Sequence, residues 1–127
     1  MPDEARPYPK SAQLASGRPR YRRHVASPKA WQALWDAKGG PCRVCTKRAS
    51  VIELHHLVLR EHGGDDLAEN LVPLCRPCHQ ALHNRAPAIA RLLLARLSDA
   101  EYAYMIDRGG EDYPERAYGI DYSRADS

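Results

Sequence analysis

The chain has 127 residues, of which 43% are hydrophobic and 7% aromatic, with no phenylalanine. That is enough for one small domain with a modest core, which gains from an internal staple. No run approaches the roughly 18 apolar residues that span a bilayer, and the opening MPDEARPYPK lacks the apolar segment of a secretory signal. A membrane location is therefore not expected, and a reducing cytoplasm is. The net charge of +3 is uneven. Up to Arg60 there are twelve basic residues against four acidic ones, and thereafter seven against twelve. A basic half leading into a cysteine- and histidine-rich stretch points to nucleic acid.

In chain order, residues 1–26 are rich in proline, serine and arginine without a period, and read as a flexible basic arm. Its end groups Arg18, Arg20, Arg22 and Arg23 around Tyr21, a combination suited to phosphate contacts and stacking. Ser27-Pro28 starts a helix that Gly39-Gly40 stops, with Trp31, Leu34 and Trp35 on one face as expected core anchors. Residues 51–59 form an expected strand, a polar turn spans residues 61–66, and Leu71-Val72-Pro73-Leu74 is an edge strand or strand end. Helices are expected from Pro77 to about Asn84, from Ala88 to Leu97, and from the capping box Ser98-Asp99-Ala100-Glu101 to about Arg108. Residues 109–127 read as an acidic, tyrosine-bearing tail, which leaves a domain over residues 27–108 with its core at 41–85.

Four cysteines form two Cys-x-x-Cys pairs, Cys42/Cys45 and Cys75/Cys78, separated by residues 46–74. This spacing is that of a tetrahedral structural zinc site. Disulfides and a redox dithiol are the competing readings; a reducing compartment disfavours the first and the lack of a βαβ pattern the second. Lys47 and Arg48 beside the first pair are candidate phosphate contacts, and Arg76 and Arg85 are weaker ones.

Five of the six histidines lie between residues 55 and 83. His79 and His83 are four apart on a predicted helix and share a face. His55 and His56 are adjacent on an extended segment and point to opposite faces. His55, His79 and His83 can then hold one divalent ion with open coordination positions, while His56 stays free as a general base. His62, in the turn, reads as plain surface.

The ordered set HH-x6-GG-x5-NL-x2-LC-x2-CH, running from His55 to His79, resembles the HNH endonucleases, the ββα-metal (His-Me finger) nucleases of phages, bacteria and mobile introns. The resemblance covers residues 41–85. It implies a small α+β fold in which a ββα core wraps one catalytic metal, stapled by a four-cysteine zinc and flanked by helices. It further implies hydrolysis of DNA phosphodiester bonds, nicking or cutting both strands, with double-stranded DNA as partner. By this resemblance His56 is the general base, Asn70 holds the His56 backbone across the loop, and His79 is a metal ligand. His55 stands where many members carry aspartate and colicin-type members carry histidine, and His83 matches the extra helix histidine of that pattern. The all-histidine site leaves Mg2+, Mn2+, Ni2+ or Zn2+ open as the working ion. Leu59 departs from the family, which often has proline there. Two other readings are a non-catalytic zinc-stabilised nucleic-acid-binding module and an accessory nuclease subunit beside a phage packaging motor, with a phage or bacterial protein partner.

Overall fold

The computed structural model describes residues 24–122, so the arm arginines Arg18, Arg20, Arg22 and Arg23 lie outside the described residues. Helix α1 (Pro28–Lys38) begins where the Ser27 hydroxyl accepts from the Ala30 N–H, and it ends with the Gly39 N–H donating to the Trp35 carbonyl. None of its residues is buried. Trp31, Leu34 and Trp35 are only half-covered, which corrects their expected role as core anchors. The short polar face of α1 leaves it lying on β2 and the turn before it, not sunk between layers.

The first cysteine pair follows as a tight turn. Thr46 donates its N–H to the Cys42 carbonyl, and the Arg43 N–H reaches the Pro73 carbonyl, joining the turn to the sheet. That sheet has two antiparallel strands, β1 (Ile52–His56) and β2 (Leu71–Cys75), with Ile52 opposite Cys75 and His56 opposite Leu71. In a two-stranded sheet both strands are edges, so Pro73 costs no interior ladder bond. The strand is shorter than the expected residues 51–59. Leu57 still donates to the Asn70 carbonyl, but Val58 bonds instead to the Asn70 side chain, which turns the chain inward and buries both residues.

Two short 3-10 turns, Arg60–His62 and Ala68–Asn70, carry the chain back to β2. Between them Gly63 takes a left-handed φ of 96°, available to glycine at little cost. A Cβ on Gly64 would sit 1.8 Å from the Val58 carbonyl oxygen, so this crossing of two backbones requires glycine. Helix α2 (Arg76–His83) leaves directly from β2 and packs on both strands. Helix α3 (Pro87–Ala95) buries Ala90, Leu93 and Leu94. Helix α4 (Asp99–Gly109) opens with the expected capping box between Ser98 and Glu101.

The chain does not trail off after α4. Helix α5 (Tyr113–Tyr118) folds back, and Tyr113, Pro114, Tyr118 and Ile120 are buried. This corrects the reading of residues 109–127 as a tail, at least as far as residue 122. One six-residue helix is too short to show a period, yet burying two tyrosines repays its ordering. The result is a small α+β fold with a two-stranded sheet and five helices among the described residues. Among them no helix is long and apolar enough to cross a membrane.

Candidate active site

The four cysteines converge at one end of the sheet. Their sulfurs lie within 4.8 Å of one another, and Cys45 and Cys75 are 3.8 Å apart. A tetrahedral zinc with Zn–S near 2.3 Å sets its sulfurs about 3.8 Å apart. The thiols influence one another strongly. Burial raises the Cys42 thiol, but neighbouring backbone N–H groups, Cys45 foremost, bring it down to about 6. Burial and the adjoining thiols push Cys78 up. Four such thiols ionise together only beside a cation, so the donor set fits a metal.

The strand β1 sorts the two adjacent histidines. Glu53 and His55 share one face, two residues apart, and His56 takes the other. On the first face, His55 is buried, and its Nδ1 is 3.2 Å from Nε2 of His79. Nε2 of His83 is likewise 3.2 Å from Nε2 of His79. These three nitrogens converge, one from β1 and two from successive turns of α2.

The outward nitrogens fix the tautomers. Nε2 of His55 lies 2.9 Å from the Tyr118 hydroxyl, which donates its own hydrogen to the Leu57 carbonyl. Tyr118 is therefore the acceptor, and His55 carries its proton on Nε2. Nδ1 of His79 lies 2.7 Å from Glu53 Oε1, so His79 carries its proton on Nδ1 and presents a lone pair at Nε2. The hydrogen bond from His79 in turn holds the Glu53 carboxyl below its ordinary range. Burial, reinforced by His79 and His83, holds His55 well below the ordinary imidazole range, so it is a neutral donor. His55, His79 and His83 could therefore hold a metal ion, with Tyr118 and Glu53 orienting two of the rings from outside.

On the opposite face, His56 Nε2 is 2.7 Å from Asp66 Oδ1. Its ring and the Trp31 indole meet in a T-shaped contact with centroids 6.3 Å apart, and the Arg60 guanidinium lies 5.5 Å over the same indole. Burial lowers the basicity of His56, Asp66 opposes that shift, and Arg60 adds to it; the net direction is down. Both faces open into one cleft of about 420 Å3, lined by His55, His56, Arg60, His79 and His83 among others.

Asn70 is fully buried. It accepts from the Val58 N–H and donates to the carbonyls of Val58 and Asp65. The contact expected on the His56 backbone falls two residues further on, at Val58. Lys47 and Arg48 are exposed and do not line the cleft. His62 is not plain surface: it is half-covered, with Nδ1 2.8 Å from the Tyr113 hydroxyl.

Sequence reasoning missed Glu53, Asp66 and Tyr118. Glu53 was signalled by its two-residue spacing from His55, and Asp66 by its place beside Gly63-Gly64. Nothing local signals Tyr118, which reaches His55 from a distant part of the chain.

A strand–strand–helix unit thus carries three converging imidazoles, a fourth facing the same cleft, and a four-cysteine cluster at one end of the sheet. Residues 42–85, about a third of the chain, match the family model of the HNH endonucleases, and this segment carries the HNH motif. The chain is also 35% identical over 63 residues to the type IV methyl-directed restriction enzyme EcoKMcrA of Escherichia coli (strain K12). That similarity covers 43% of this chain and 22% of the relative, so the chain spans about a fifth of that enzyme's length. No solved structure gives a significant match. Both similarities support a nuclease function.

Proposed function

We propose that this protein is a metal-dependent endonuclease that hydrolyses DNA phosphodiester bonds, with His56 as general base. The observation that carries the reading is the sorting of imidazoles by β1: nitrogens of His55, His79 and His83 converge within 4.8 Å of one another, and His56 faces the same cleft from the other side. A structural or purely DNA-binding module has no need of a separate, neutral imidazole beside a metal-ligating set.

A divalent cation on His55 Nδ1, His79 Nε2 and His83 Nε2 would supply Lewis-acid polarisation of the scissile phosphate and offset charge on the departing 3′ oxygen. Burial and its neighbours keep His55 neutral and able to ligate. Glu53 and Tyr118 hold the ligand rings in orientation through the nitrogens that face away. His56, with its proton on Nε2 toward Asp66, accepts a proton at Nδ1 from the attacking water. The new P–O bond forms as the bond to the 3′ oxygen breaks, leaving a 5′-phosphate, and the departing 3′ oxygen takes a proton from solvent water to become the 3′-hydroxyl. Asn70 fixes the loop after His56 and so the distance between base and ligands.

Zinc on Cys42, Cys45, Cys75 and Cys78 is assigned a structural part, remote from the reacting phosphate. Double-stranded DNA is the proposed substrate. Lys47, Arg48 and the arm residues Arg18, Arg20, Arg22 and Arg23 contact its phosphates, positioning it without reading sequence.

The test is a plasmid-cleavage assay with a panel of Mg2+, Mn2+, Ni2+ and Zn2+. Wild-type protein nicks or linearises the plasmid with at least one of these ions and not in excess chelator. His56→Ala abolishes cleavage while its circular dichroism spectrum and melting temperature stay near those of wild type. Cleavage by a folded His56→Ala protein at the wild-type rate would refute the assigned base.

A further inference from the structure

We propose that Asp66 is a positioning residue for His56, locking the imidazole in the tautomer that leaves Nδ1 free to take a proton. The inference rests on His56 being the base, and it deepens that reading by naming what makes it competent.

Asp66 is a carboxylate with no exposed side-chain surface, and both of its oxygens are occupied. Oδ1 faces Nε2 of His56 at 2.7 Å and accepts from Nε of Arg60 at 3.0 Å. Oδ2 accepts from Nη2 of Arg60 at 2.8 Å and from the Val25 N–H at 2.9 Å. The two-point bond from Arg60 fixes the plane of the carboxylate, because guanidinium and carboxylate meet in a rigid fork. The Arg60 guanidinium in turn lies over the Trp31 indole, which also meets the His56 ring in a T-shaped contact.

An ionised carboxylate only accepts. Asp66 can therefore meet Nε2 of His56 only if that nitrogen bears hydrogen, which places the lone pair of a neutral ring on Nδ1. The same carboxylate stabilises the imidazolium once Nδ1 has been protonated. Asparagine cannot reproduce this. Each oxygen of Asp66 receives two donors, so wherever the amide nitrogen sits it faces two N–H groups. With the amide nitrogen at the Oδ1 position, Nε2 of His56 is met by a donor and the ring is driven toward the opposite tautomer. Asp66 touches no substrate in this scheme and acts through His56 alone.

The test combines ring 15N–1H spectra of the full zinc-loaded chain with cleavage kinetics. In wild type, His56 shows the Nε2–H tautomer, and in Asp66→Asn the ring shifts toward Nδ1–H. Turnover in Asp66→Asn falls by about 100-fold or more, with KM changed by less than about threefold. A wild-type Nδ1–H tautomer, or a folded Asp66→Asn protein that turns over at the wild-type rate, would overturn the proposal, and the wild-type spectrum decides even if Asp66→Asn folds poorly. If wild type cuts no DNA yet the tautomer shifts as described, the nuclease reading fails and the Asp66–His56 orientation stands.

Discussion

Glu53 sets the His79 tautomer from a half-exposed position, through a bond of 2.7 Å. Replacing such an outer partner of a metal ligand typically costs 10–100-fold in affinity. Glu53→Gln is expected to weaken Mn2+ or Ni2+ binding within about that range, as read by isothermal titration calorimetry on zinc-loaded protein, because the amide can turn its NH2 toward His79 and disfavour the required tautomer. An unchanged affinity would remove Glu53 from the site. At Gly64 the constraint is steric. The added Cβ would fall 1.8 Å from one carbonyl oxygen and 2.9 Å from Asn70 Nδ2, and neither atom belongs to a yielding side-chain end. Gly64→Ala is expected to cost on the order of 3 kcal/mol or more by urea denaturation. It should also loosen the loop that places His56, so that cleavage falls even where the protein remains folded.

Among the elements, α4 ties the cysteine turn to the helical layer through one side chain. Glu101 closes its own capping box, accepts from Arg43 beside Cys42, and pairs with Lys38 at the end of α1. Burial opposes its ionisation, but Arg43, Lys38 and the Ser98 N–H outweigh it and bring the carboxyl down to about 2. A carboxyl depressed in the folded state stabilises above its unfolded value and loses that contribution as pH falls through its folded value. For Glu101 that window runs from the ordinary glutamate range down to about 2. The contribution is roughly 3 kcal/mol at most near neutrality. Wild type should therefore exceed Glu101→Gln in urea midpoint at pH 7, and the gap should narrow on acidification below about pH 4.5.

The helices and strands of residues 28–109 were legible because caps, prolines and period mark them: Ser27-Pro28, the Ser98 box, and the His79/His83 spacing. The arrangement of His55 against His56 was legible from the pleat alone. The last helix was not, since its six residues show no period and lie among acidic ones. The same segment hid Tyr118, whose bond to His55 is a long-range contact that no local pattern encodes. Arg60 and Asp66 were missed for a related reason, because a turn that reads as solvated is here folded under α1. Stopping the chain after residue 110 would remove both Tyr113 and Tyr118, and such a protein is expected to melt well below wild type and to bind Mn2+ more weakly.

At the level of the whole molecule, two cysteine turns grip the ends of the segment that contains β1, both 3-10 turns and β2. With a core this small, a zinc ion held by the four cysteines would supply a large share of the folding free energy. Cys42→Ser should lose bound zinc, measured by elemental analysis, and unfold or precipitate; a well-folded, zinc-free Cys42→Ser protein would contradict the staple. The surface helix α1 has one further consequence. The chain contains two tryptophans and no phenylalanine, and both tryptophans lie on α1, with Trp31 wedged between His56 and Arg60. Its intrinsic fluorescence is thus an optical gauge of the cleft, and with Trp35→Tyr as background the emission of Trp31 alone can time the arrival of a phosphate before any bond is cut.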